Sequence, residues 1–426
     1  MSVLSSRKLH LLGIYIFFQI LFLINIQFPR NFNFDEYHFV PQAQELFPSE
    51  KANPTLEHPP LGLYWIRLSI QADQNRPFGW RWISTVFGAL SLLWVYGIGW
   101  ALFHSHRSAL LASLITGFNG VHFVASRVAM LEIFVLFFLL GALFWFLLTY
   151  DPDVAPRDVR TAWRISGVFW GLAFATKWTA LLLWVGLWGF LFMFFLFRRW
   201  KITWPEISRE SFYTPRLFRR LPISDAFISF LFIPLLVYIV AWTPMFFTHW
   251  TFSDWVQFHF NQFKNLQLPN LHAYASPWWE WPLMIRPTWF AFDREGGSGE
   301  FFRGVLFIGN PLVMWGGLLS LLACAITWVR ARSRTPFIIL WLFLAAYLGW
   351  AWVPRHPGFY YYYFLATPFL SFAIVFLLER FSNIRWIYPL IFALVFVGFC
   401  FFYPILAALR VPMEMRPLWL WFGSWI

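Results

Sequence analysis

Long apolar runs, each close to the length of one membrane crossing and separated by polar breaks, fill most of the chain. A helix crossing about 30 Å of hydrocarbon needs about 20 apolar residues. On that scale the runs predict spans near 9–28, 83–103, 109–125, 130–149, 164–177, 179–197, 224–246, 303–329, 336–353, 363–380 and 386–409. The pattern is that of an all-α polytopic membrane protein with about eleven transmembrane helices, forming one membrane-embedded domain over residues 1–426. The first run follows Arg7-Lys8, is longer than a signal-peptide core and lacks a small-residue cleavage site, so it reads as a retained span.

Two stretches between spans are long, about 29–82 and about 247–302, and both mix Pro, Trp, Phe and charge. They predict short amphipathic helices lying at the interface, with aromatic rings at headgroup depth. Connections of that length in a compact protein are commonly functional, which places the candidate chemistry there.

Composition agrees with the pattern: 59% of residues are hydrophobic and 12% charged, against roughly 45–50% and 25% in soluble domains. Charge adds an orientation. Alternating the spans puts 18 of the 32 Lys and Arg on one side, from Arg7 and Lys8 through a basic loop at about 198–223 to Arg330, Arg332, Arg334, Arg380 and Arg385. Acidic residues collect on the other side. The positive-inside rule then makes the N-terminus cytoplasmic, and an odd span count puts the C-terminus outside the cell (plasma or inner) membrane. Loop charge of this kind accounts for the net +12, so no nucleic-acid partner is implied. Cys324 and Cys400 both fall in apolar runs and offer neither a disulfide framework nor a metal-ligand spacing.

Ionisable residues at membrane depth or at its edge are costly and therefore informative. Asp35-Glu36 follows the first span. It suits a general base acting on a hydroxyl, or a plain polar collar ending the helix. Glu57-His58-Pro59-Pro60 couples titratable groups to a chain preset by two prolines, and either aims His58 at a substrate or starts the next helix. Arg127 and Glu132 lie between two apparent spans, as an internal salt bridge or as an anion site in which Glu132 orients Arg127. Lys177, in Ala175-Thr176-Lys177-Trp178-Thr179, is a cation on the outer side; it suits a lipid-linked phosphate or a snorkelling anchor. Arg355, ahead of Tyr360-Tyr361-Tyr362-Tyr363, is similar, with rings able to line a groove for a lipid chain or sugar. Walker, GxGxxG, HExxH and CxxC patterns are absent, and the DxD pair Asp151-Pro152-Asp153 falls in a loop on the cytoplasmic side, so a sugar nucleotide held by a metal is not suggested.

Taken in order, these segments resemble the protein O-mannosyltransferase family, a group of lipid-carrier-dependent membrane glycosyltransferases with the GT-C fold. The matching segments are Phe34 to Phe39 (FDEYHF), His58 to Gly62 (HPPLG), Asn119 to His122 with Ser126-Arg127 and Met130 to Glu132, Ala175 to Thr179 (ATKWT), His272 to Pro287 and Gly309 to Pro311. The resemblance implies transfer of mannose from a polyprenyl-phosphate carrier to Ser or Thr hydroxyls of exported proteins, with inversion, on the outer side of the membrane. It makes Asp35 the catalytic base, with Glu36 beside it in the catalytic pair. Glu36 and His58 would shape the acceptor and sugar site, and Arg127, Lys177 and Arg355 would hold the carrier phosphate. Glu132 stands where the family usually has aspartate. No cofactor is required, a divalent ion is possible but not indicated, and the partners are the lipid-linked donor, a protein acceptor and membrane lipid, in a chain able to dimerise. The 247–302 stretch has no room for the β-trefoil domain of eukaryotic members, which points to a bacterial-type enzyme. Relatives that modify lipids, such as aminoarabinose transferases, share the acidic motif and supply the alternative of a lipid or glycan acceptor. A transporter or carrier-lipid flippase is disfavoured by the scarcity of mid-span charge and the absence of an internal repeat.

Overall fold

The computed structural model describes residues 3–47, 56–74, 76–150, 156–200, 223–248, 250–264, 272–297, 299–353, 355 and 357–425. The basic loop expected at 198–223 lies outside the described residues from 201 to 222. Helix α1 (Val3–Leu23) leads to a loop carrying two short helices, α2 (Glu36–Gln44) and α3 (Leu61–Ile70), packed on each other. Next come α4 (Pro77–Phe103), α5 (His106–Gly117), α6 (Gly120–Ala125), α7 (Leu131–Leu147), α8 (Pro156–Thr176) and α9 (Ala180–Trp200). Helix α10 (Ile223–Phe227) continues through a π-helical stretch into α11 (Ile233–Phe246), and α12 (Phe252–Lys264) follows. After a β-hairpin come α13 (Pro311–Ala331), α14 (Arg334–Leu348), α15 (Thr367–Glu379) and α16 (Ile387–Leu406).

Six of these helical segments are long and apolar enough to cross a membrane: Pro77–Phe103, Ile223–Phe246, Pro311–Ala331, Arg334–Ala351, Tyr360–Glu379 and Ile387–Leu406. The protein is accordingly a multi-pass membrane protein. At 1.5 Å per residue, the 27 residues of α4 extend about 40 Å, from one side of the bundle to the other. Proline opens α4 and α13, where its missing N–H costs nothing. Helices α7 and α8 pack on each other, α4 packs against α1, α5 and α7, and α13 against α15. The core between them is strongly aromatic, with Trp163, Trp170 and Trp242 fully buried.

Three expectations are corrected. The fold is not all-α: β1 (Thr288–Glu295) and β2 (Phe301–Phe307) form an antiparallel hairpin, and β3 (Val411–Pro412) adds to the free side of β2. Gly296 and Gly299, at φ of +95° and +75°, make the turn that joins the first two strands. Residues 303–307 therefore belong to a strand, and the helix begins only at Pro311. An unbroken apolar stretch conceals the change from a two-residue to a 3.6-residue period. Among the described residues the long second loop holds α12, a short helical turn at Trp278–Glu280 and then sheet, rather than helices alone. Finally, the span expected at 109–125 breaks into α5 and α6. Asn119 leaves the helical path and its Oδ1 accepts the Asn310 backbone N–H at 2.9 Å. Gly120 lies so close to the Ile308 carbonyl that a Cβ there would collide with it.

The hairpin gathers the chain at one end of the bundle. The Phe34 N–H donates to the Phe290 carbonyl of β1 at 3.1 Å. The Trp425 indole donates to Met284 O at 2.7 Å, and Trp289 donates to Trp425 O at 3.1 Å. The acidic motif, the sheet and the C-terminal segment thus share one face.

Candidate active site

The chain leaving α1 is held by Arg81, one turn into α4. All five N–H groups of its guanidinium find acceptors: Nη1 donates to Ile26 O (3.0 Å) and Pro29 O (2.9 Å), Nη2 to Asn31 O (2.9 Å), and Nε and Nη2 to Glu36 at 2.8 Å each. Glu36 also accepts the backbone N–H groups of Asn33 (2.8 Å) and Ala129 (2.9 Å). Both side chains are buried. A carboxylate so engaged has its acceptor positions filled, which sets Glu36 apart from the catalytic role expected for it beside Asp35. It fixes the loop from which its neighbour projects. Arg81 was outside the sequence reading, although a cation one turn inside a long apolar helix is itself a signal.

Asp35 stands at the N-cap of α2, yet its carboxylate does not cap the helix. It faces the opposite way and accepts a hydrogen bond from the Tyr361 hydroxyl. Burial and the nearby Glu132 carboxylate push it up from 3.8 to about 6, against the smaller opposing effects of Lys177, His38 and Tyr361. Such a carboxyl is ionised at neutral pH and basic enough to receive a proton.

Cations converge on the same place. Lys177, in the turn between α8 and α9, donates through Nζ to Glu132 Oε1 and lies over the rings of Tyr361 (5.6 Å) and Phe39 (5.9 Å). The second oxygen of Glu132, in the first turn of α7, is buried without a hydrogen-bond partner. Arg355 Nε donates to the Tyr362 hydroxyl at 3.2 Å, and Asp35 is among the groups that hold its guanidinium charged. His58, just ahead of α3, packs on Phe39 with ring centroids 5.7 Å apart. Burial, Lys177 and Arg355 keep it well below its ordinary range, so the imidazole is neutral. At the exposed rim His38 Nδ1 lies 3.4 Å from Glu57.

The fold therefore brings Asp35, His58, Glu132, Lys177 and Arg355 together and adds Tyr361 and Tyr362. Arg127 is placed differently. It is not oriented by Glu132: its Nη1 donates to the α1 end carbonyls Phe22 O (2.7 Å) and Ile24 O (2.5 Å), with the guanidinium 4.8 Å above the Phe123 ring. Helix ends leave carbonyls without intrahelical donors, and a buried cation satisfies them. Among the described residues, no group of three or more His, Cys, Asp or Glu side chains converges as a metal cluster.

The site sets a carboxylate, Asp35, near two cations and the unpaired oxygen of Glu132, at one end of the helical bundle. The family model described as dolichyl-phosphate-mannose-protein mannosyltransferase matches residues 57–207, covering the His58-Pro-Pro element, Glu132 and Lys177. A polyprenol-phosphate-mannose–protein mannosyltransferase of Mycolicibacterium smegmatis is 27% identical, over 92% of this chain and 87% of that protein. Among solved structures, the S. cerevisiae protein O-mannosyltransferase Pmt1–Pmt2 complex bound to the sugar donor superposes with a TM-score of 0.79 at 13% identity, covering 100% of this chain and 93% of that one. ArnT from Cupriavidus metallidurans bound to undecaprenyl phosphate gives 0.60 at 14% identity, covering 89% of this chain and 61% of that one. Taken together with the ordered motifs and the helical fold, these likenesses make the chain similar to protein O-mannosyltransferases over nearly its whole length.

Proposed function

We propose that this protein moves mannose from a polyprenyl-phosphate carrier to Ser or Thr hydroxyls of exported proteins, inverting the anomeric carbon. The observation that carries the reading is the placement of Asp35, a carboxyl held near 6, across from Lys177 and Arg355. Asp35 takes the proton of the acceptor hydroxyl as its oxygen bonds to the sugar C1. The bond from C1 to the phosphate oxygen breaks on the opposite side, and the polyprenyl phosphate leaves with the electron pair. Lys177 and Arg355 stabilise the charge that develops there, and such fixed electrostatic stabilisation is commonly the largest single term in catalysis. Neutral His58 and the open oxygen of Glu132 suit sugar hydroxyls, the first as donor or acceptor and the second as acceptor.

The reaction requires no resident cofactor, and the donor itself is the lipid-linked substrate. Eleven crossings, with the N-terminus cytoplasmic and the active face and C-terminus outside, fit the basic residues at the opposite ends of the helices. All 426 residues then form one membrane-embedded unit, with a second copy of the chain as a possible dimer partner.

The test is incubation of purified full-length protein with polyprenyl-phosphate-mannose and a Ser/Thr-rich peptide, comparing wild type with Asp35→Asn. Mannosyl-peptide from wild type alone supports donor, acceptor and base together. Absence of product with peptide, but transfer to a lipid acceptor, would overturn the acceptor assignment.

A further inference from the structure

A cavity of about 820 Å³ opens between α5, the connection from α15 to α16, and the first turns of α16. It lies at the end of the bundle away from Asp35. Helix α4 starts beside Glu36, through Arg81, and runs the full thickness of the bundle to Phe103, and Arg107 follows directly after. The mouth carries Arg107 and Arg385, both exposed, with the Ser382 hydroxyl between helices, while Leu114 and Phe392 continue the wall as apolar surface. Neither arginine forms an ion pair with a carboxylate of the described residues. The one carboxylate in the lining, Glu379, is occupied locally: it accepts from the Ser108 hydroxyl and hydrogen-bonds the Tyr388 hydroxyl.

We propose that this cavity binds an anionic glycerophospholipid of the leaflet opposite the active face, its phosphate between Arg107 and Arg385 and its acyl chains along Leu114 and Phe392. Charge and shape argue for that occupant. Two guanidinium groups above an apolar slot match a phosphate attached to hydrocarbon, and basic pockets between transmembrane helices on the cytoplasmic side are a known form of lipid-headgroup recognition. The volume falls within the range of sites that enclose a small ligand. A soluble anion would gain nothing from the apolar wall, and a zwitterionic lipid would bring a cation to two arginines. The site is distinct from the donor site, and its occupancy does not depend on the reaction assigned above.

Delipidated full-length protein, titrated with phosphatidylglycerol or with phosphatidylcholine of the same chains, is read by native mass spectrometry. Wild type is expected to retain phosphatidylglycerol in preference. Arg107→Ala with Arg385→Ala weakens that retention by roughly thirtyfold, since each arginine near an anionic surface is worth about a factor of five. The Arg107→Lys, Arg385→Lys pair keeps most of it. Leu114→Trp retains both charges but fills the slot, and also loses the lipid, which provides a second reading should the double alanine variant fold poorly. Equal retention of the two lipids by wild type, or unchanged phosphatidylglycerol binding in Leu114→Trp, would overturn the proposal. Displacement by soluble glycerol phosphate at equal concentration would overturn it as well, by marking a headgroup site with no use for the chains.

Discussion

Arg81 and Glu36 meet through two hydrogen bonds of 2.8 Å, buried from solvent, and the pair locks the first loop onto α4. The consequence falls on the adjacent residue. With Glu36 held inward, successive side chains diverge and Asp35 is turned toward Tyr361, Lys177 and Glu132. Two neighbouring carboxylates thus stand in unlike surroundings, Glu36 against the Arg81 guanidinium and Asp35 against the Tyr361 hydroxyl.

Breaking that pair should cost fold before chemistry. Removing one partner of a buried ion pair leaves the other charge uncompensated, at about 3–5 kcal/mol. Glu36→Gln and Arg81→Gln are therefore expected to lower the thermal midpoint and the yield of folded protein. A double-mutant cycle with both changes should recover part of the loss. Unaltered melting in either single variant would remove the positioning role.

Asp35→Asn should behave in the opposite way. Loss of the base is expected to reduce transfer by about 10²–10⁴-fold. Because the folded carboxyl is raised from 3.8 to about 6, its contribution to stability is complete below 3.8 and is lost as pH rises through 6. At pH 7.5 the wild-type group is ionised against its surroundings, so the asparagine variant should melt at or above the wild-type temperature. Lower stability together with lost activity would point to a structural role.

The same shift sets a pH profile. A base must be unprotonated to accept the acceptor's proton, so kcat/KM for the peptide should rise with pH and level off above about 6. A profile flat from pH 5 to 8 would separate Asp35 from the rate.

Lys177 is expected to act on the donor. Charge-assisted hydrogen bonds are worth about 1.5–3 kcal/mol, so Lys177→Ala should raise the KM for the lipid-linked sugar by roughly ten- to a hundredfold. Its removal also leaves Glu132 buried and unpaired, and the Lys177→Ala, Glu132→Gln double variant should restore folding without restoring donor affinity. An unchanged KM in the single variant would exclude phosphate contact.

A reporter fused after Ile426 should read as external, and one at the N-terminus as cytoplasmic. A cytoplasmic signal from both would require an even number of crossings and place Trp425 and the hairpin on the inner face.

Much of this was legible in the chain. Apolar runs mark helices because lipid leaves backbone groups no other partner, and most of the predicted spans fall largely on helical residues, with the strand at Phe301–Phe307 and the break at Asn119 as exceptions. Asp35, His58, Glu132, Lys177 and Arg355, which the fold groups together, also stood out as candidates, since charge is scarce in such a sequence and each occurrence needs a reason. Partner choice was not legible. Arg127 and Glu132 are five residues apart and of opposite sign, yet Arg127 goes to the end of α1 and Glu132 to Lys177. Likewise Phe301 to Phe307 reads as the start of a span until Thr288 to Glu295 lies alongside it.

The sequence by itself determined the class of protein, its helices and the set of ionisable groups available, because transfer free energy is a local property of each segment. Only the tertiary structure decided which of those groups face one another. It gave Glu36 to Arg81, and set Lys177, Glu132 and Tyr361 around Asp35. The physical reason is that hydrogen-bond capacity is saturable: an acceptor filled by one distant donor is closed to the rest, and which donor arrives first in space cannot be read from spacing along the chain.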